Sequence, residues 1–142
     1  QVGETDNLAA FKGGACSEYS TSVWSPHGIG HLIEYATDGD PETFWAADHP
    51  PHWLSIDLGK VQTIRVVRVT NYFADKRFYH YTVEVSADGD QWVKVGEKLN
   101  DDLATAEGDR HEFAAVKARY VKVTMLHNSA NWGLHVAELG VW

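Results

Sequence analysis

The chain holds a single cysteine, Cys16, among its 142 residues, so no disulfide forms within it. Packing must hold the fold, with a bound metal as the remaining staple. No apolar run reaches the length of a membrane span, and no stretch reads as a signal peptide. The chain begins at Gln1, which fits a processed secreted product and a piece of a longer protein equally. Basic residues are few: 12 Lys and Arg face 20 Asp and Glu, for a formal charge of -8. Phosphate backbones and anionic lipid repel such a chain, so neither nucleic acid nor membrane is an expected partner. Catalytic signatures are missing too. There is no nucleophile elbow, no phosphate loop and no marked carboxylate pair of the kind a glycosidase needs, and no enzyme activity is expected. The eight histidines show no HExxH or i, i+4 pairing, which leaves zinc only a three-His site built from separate loops.

Aromatic residues are plentiful, with six Trp, six Tyr and five Phe. From Trp53 onward, period-two alternation is broken by turns. Trp53 to Leu58 alternates and stops at Gly59-Lys60, and Thr63 to Thr70 reads as the next strand. Tyr81 to Ser86 and Trp92 to Val95 flank an Asp88-Gly89 turn, the pattern of a hairpin. His111 to Phe113, Ala118 to Leu126 and Val136 to Val141 complete the set, and only His31 to Ala36 suggests a turn of helix. Many short strands with turns between them predict an all-β, antiparallel sandwich as one domain over 1–142. Trp45, Trp53 and Trp92, in or beside strands, are expected in the core, as are Tyr79 and Tyr81.

Asp38-Gly39-Asp40-Pro41-Glu42-Thr43 is an oxygen-dense turn whose spacing rules out an EF-hand; by itself it fits a calcium site or a metal-free Asx turn equally. Taken with Trp45, Trp53 to Gly59, the Tyr81 to Trp92 hairpin, Ala118 to Val121 and Glu138 to Val141, it resembles the discoidin, or coagulation factor 5/8 type C, pattern. The set points to the family-32 carbohydrate-binding modules of that group. The resemblance implies a jelly-roll sandwich, galactose-binding-domain-like, with a structural calcium. Its ligands would be the carbonyls of Tyr35, Asp40 and Ala137, the carboxylates of Asp38 and Glu138, and Thr43. A cation there would also relieve repulsion between Asp38 and Glu138.

The resemblance also implies a glycan or polysaccharide ligand held by loops at one end. A sugar ring needs an aromatic platform beside a few polar groups. The candidates are Glu18 and Trp24 in the first loop, His49 in the second, Tyr72, Lys76 and Arg77 in the third, and Asn128 and Trp132 in the fourth. Each has a plainer reading: Trp24 as a loop anchor, Lys76 and Arg77 as solvated charges, Asn128 as a turn former. Trp132, flanked by Asn and Gly, lacks a packing role. Galactose is not supported, because Ala46 stands where galactose-binding relatives carry His, and Ala74 to Arg77 lacks their Arg and Asn arrangement. The expected role is a secreted or cell-surface module that tethers a fused carbohydrate-active catalytic domain to its polysaccharide. A discoidin-type protein-binding or adhesion domain is the alternative.

Overall fold

Leu54, Ile56 and Leu58 alternate with Trp53, Ser55 and Asp57, so an extended backbone sends the first set inward and the second outward. The computed structural model, which describes residues 7–19 and 31–142, bears this out: the three aliphatic side chains are at most 2% exposed. Among the described residues eight strands follow in order: β1 (Gly14–Cys16), β2 (Trp45–Asp48), β3 (His52–Thr70), β4 (Tyr79–Ser86), β5 (Val93–Lys98), β6 (Asp109–Asn128), β7 (Gly133–Val136) and β8 (Glu138–Val141). A short 3-10 turn spans Ile33–Ala36, where a turn of helix was expected.

All pairings are antiparallel. One sheet runs β1-β3-β6-β4-β5 with β8 added along β3, and β2 pairs with β7 in a second, smaller sheet. β3 and β6 are the longest strands, and both lie in the large sheet. The pairing of β3 with β6 breaks between Asp57 and Gln62 and again between Ile64 and Val66. Gly59, with φ of 92°, sits at the first break, which is why the expected stop at Gly59-Lys60 is a bend and not a strand end. The two halves of β3 pair with different partners, β1 on one side of the bend and β8 on the other, over one shared apolar cluster. Gly14 is required for the first pairing, because a Cβ there would meet the Ser55 carbonyl oxygen at 1.7 Å.

Trp45, Tyr79 and Tyr81 are fully buried, as expected. Trp53 and Trp92 are not core: both are half-buried on the outer face of the large sheet, beside Lys122. The reason is phase. Trp53 alternates opposite to Leu54, and Trp92 precedes β5 at the end of an exposed turn. Among the described residues no helix is long and apolar enough to cross a membrane.

Candidate functional site

Three ladders end at the same place and bring their loops together. Asp48 pairs with Gly133 at the end of β2 and β7, so the next residues outward, His49 and Trp132, meet. His52 pairs with Met125, which sets Pro50 and Pro51 beside Leu126 and His127. Tyr79 pairs with Asn128, which sets Phe78 beside Ser129, and the Ser129 amide and hydroxyl bond the Phe78 backbone. The result is an open cleft of about 540 Å³ with Pro50, Pro51, Leu126, His127 and Trp132 in its walls.

Trp132 is 68% exposed although it is one of the largest apolar side chains. His49 stacks on it, with ring centroids 5.9 Å apart and planes 18° from parallel. The His49 amide donates to the Trp132 carbonyl at 2.9 Å, and His49 holds a φ of 66° to do so. An indole held flat and open to water is a stacking platform.

The other predicted residues divide by position. Asn128 is 4% exposed and its amide is used within the loop: Nδ2 donates to Asn131 Oδ1 and the Gly133 carbonyl, and Oδ1 accepts from the Ala130 amide. It shapes the turn that presents Trp132. Arg77 is buried, its guanidinium donates twice to Asp75, and it lies over the Tyr72 ring at 5.0 Å. Asp75 holds the Arg77 pKa above its ordinary value. Tyr72 is half-buried in a cluster with Phe44 and His135, facing a smaller hollow lined by Pro41, Glu42 and Phe73. Lys76 is exposed. Glu18 pairs with His52 Nε2 at 2.6 Å, and its carbonyl accepts from the buried Trp45 indole. Trp24 lies outside the described residues. Thus His49, Asn128 and Trp132 come together, Tyr72 and Arg77 form a separate cluster, and Glu18 is tied to His52 at the start of β3.

Leu126 was missed as part of this cleft. Outward phase along β6 flags Leu126, since Val121, Val123 and Met125 point inward.

The oxygen-rich turn lies against β8. Thr43 Oγ1 donates to Asp38 Oδ2 and sits 3.0 Å from the Asp40 carbonyl oxygen. Burial, and then the Asp38 carboxylate beside it, push the Glu138 pKa up to about 9. Glu138 Oε1 is buried with no hydrogen-bond partner among the described residues. Tyr35 lies in the 3-10 segment just before this turn, and Ala137 is the break between β7 and β8. Two carboxylates sharing a buried site, with hydroxyl and carbonyl oxygens around them, form a donor set suited to a hard cation. No three His, Cys, Asp or Glu side chains gather as a metal site among the described residues; this set has two carboxylates and draws its other oxygens from hydroxyl and backbone.

The family model described as F5/8 type C domain matches residues 15–139. The fold aligns with the X-ray structure of chitosan-binding module 2 in complex with chitotriose, derived from the chitosanase/glucanase of Paenibacillus sp. IK-5. That alignment has a TM-score of 0.79 and 28% identity over 96% of this chain and 99% of that one. CBM32 of AlyQ, in complex with 4,5-unsaturated mannuronic acid, aligns at a TM-score of 0.77 and 23% identity over 90% and 92% of the two chains. BTB/POZ domain-containing protein 9 from Homo sapiens is 29% identical over 83 residues, 58% of this chain. The chain spans 13% of the length of that curated relative.

Proposed function

The chain belongs to the F5/8 type C domain family, and from that premise we propose that it is a non-catalytic carbohydrate-binding module whose loop-end cleft takes a glycan on Trp132. The observation that carries this reading is the open indole of Trp132, backed by His49 and bordered by the polar edges of Asn131 and Ser129. Loops on a rigid two-layer body keep such a platform preorganised, which lowers the entropy cost of binding. The 28% identity to a chitosan-binding module supports a saccharide ligand. A formal charge of -8 favours neutral or cationic saccharides over polyuronates.

That chitosan-binding module derives from a chitosanase/glucanase, which supports the same tethering role here, in a secreted or cell-surface protein with a fused carbohydrate-active domain. Tethering raises local substrate concentration, so a modest affinity at the cleft is sufficient. Calcium, held by Asp38, Glu138, Thr43 and the carbonyls of Tyr35, Asp40 and Ala137, would supply no chemistry to the sugar. It would neutralise the paired carboxylates and tie the early turn to the last strand.

Affinity electrophoresis through chitosan, pectin and alginate gels tests the reading. Retardation by at least one polysaccharide, abolished in Trp132→Ala at an unchanged melting temperature, is the expected result. Absence of retardation in all gels and across a glycan array, alongside a successful protein pull-down, would install the adhesion reading instead.

A further inference from the structure

The outer face of the large sheet carries a second cleft of about 630 Å³, which shares no lining residue with the Trp132 cleft. It runs along β3 and β6 between the β1 edge and the 88–92 turn. Trp53, Trp92, Tyr120 and Lys122 form its working surface. The Lys122 ammonium lies 4.1 Å from the Trp92 ring centroid and 5.8 Å from that of Trp53, so it spaces the two indoles. Trp92 and Tyr120 lie 6.5 Å apart with their rings at 54°.

Two of the acids beside this cleft are already committed, and Glu84 faces Lys122 across the β4–β6 ladder without closing an ion pair among the described residues. Asp57 takes a two-pronged pair from Arg119 at 2.8 and 3.0 Å. Asp88 accepts the amides of Asp90 and Gln91 and the Ser86 hydroxyl. Among the described residues, no carboxylate lies within ion-pair distance of Lys122. Two indoles on a sheet face, with a donor between them and no hydrophobic layer above among the described residues, match the apolar face and hydroxyl edge of a sugar ring better than a protein side-chain patch.

Position adds a second argument. Tyr120, Lys122, Thr124 and Leu126 share one face of β6, and Leu126 already forms a wall of the loop-end cleft. From Lys122 to Leu126 the strand covers about 14 Å at about 3.4 Å per residue. Trp53 is likewise two residues from Pro51 on β3. A polysaccharide segment of that length would bridge the two clefts along this face.

We infer that this sheet-face cleft is a second saccharide subsite, so that the module grips the interior of an extended chain as well as the unit seated on Trp132. The inference rests on the carbohydrate reading above. Isothermal titration of the 142-residue chain with the trimer and the hexamer of chitosan tests it, with oligogalacturonate and oligomannuronate pairs run alongside. The hexamer should bind at least about five-fold tighter than the trimer, equivalent to about 1 kcal/mol. Trp92→Ala and Lys122→Ala should each bring that ratio towards one with trimer affinity unchanged, and Trp92→Phe should restore most of it. Melting curves identify any variant that has lost its fold, in which case Lys122→Ala carries the test. A ratio near one in the unaltered protein, or a ratio indifferent to both alanine variants, overturns the inference and leaves a Trp132-dependent loop site standing. Hexamer binding that depends on Trp92 and not on Trp132 keeps this cleft and removes the loop site. Failure of every saccharide to bind removes both.

Discussion

At the scale of single residues, Asn128 and Trp132 sit four positions apart and do opposite work. Trp132 is exposed and packs against little besides His49. Asn128 is buried and satisfies three groups of its own loop. Removing one partner of buried hydrogen bonds costs about 1–3 kcal/mol, whereas truncating an exposed indole costs little in stability. Asn128→Ala should therefore lower both the melting temperature and saccharide affinity, while Trp132→Ala lowers affinity alone. Differential scanning fluorimetry paired with titration separates the two; equal melting shifts would refute this division of roles. Arg77 belongs with Asn128 in this respect, since its guanidinium is taken up by Asp75 and the Tyr72 face.

At the scale of elements, the question is what keeps the 38–43 turn against β8. Burial disfavours an ionised Glu138, and the Asp38 carboxylate beside it adds to that, hence the raised Glu138 pKa. A divalent cation would reverse the sign of this contact and close the long chain segment between turn and strand. Calcium at about a hundred times its dissociation constant should add about 2.7 kcal/mol, a rise of about 5–10 °C in melting temperature for a domain of this size. Chelator should remove the rise, and Glu138→Gln should blunt it. A melting temperature indifferent to calcium and chelator alike would leave the turn as a hydrogen-bonded one.

At the scale of the whole molecule, buried histidines govern the response to acid. Burial holds His111 below its ordinary pKa, against the raising effect of Asp109, and its ring nitrogen meets the Tyr81 hydroxyl at 2.8 Å. Burial, aided by Arg77 and His31, takes His135 down to about 3, and burial also lowers His31. A histidine with a depressed folded pKa binds its proton more readily in the unfolded chain. Its stabilising contribution is thus complete above about 6.5 and is lost as pH falls below that value. Glu138 acts in the other direction in the metal-free protein, since its folded carboxyl holds a proton that the unfolded one releases above about 4.5. His135 offsets Glu138 over the range below 6.5, and His111 and His31 add on the same side as His135. Stability should decline from pH 6.5 towards 4.5 by up to about 1.4 kcal/mol per pH unit for each net proton taken up on unfolding. Urea melts across that range check the slope, His111→Gln should make it shallower, and a flat profile would contradict this account.

What the order of residues determined by itself was the alternation: Leu54, Ile56 and Leu58 inward, Val121, Val123 and Met125 inward, and hence two layers of antiparallel strand around one core. The same phase already placed Trp53, Lys122 and Leu126 on the outside, although the apolar bulk of tryptophan argued for the core. Trp132 was legible because a large aromatic among Asn and Gly had nothing local to pack on. Only the tertiary structure decided which loops meet. Ladder register, set by pairs such as Asp48 with Gly133, brings together residues more than eighty positions apart, and no local pattern encodes that distance. It also decided that Arg77 and Asn128 spend their polar groups inside the fold, because hydrogen-bond satisfaction depends on neighbours that the chain acquires only on folding.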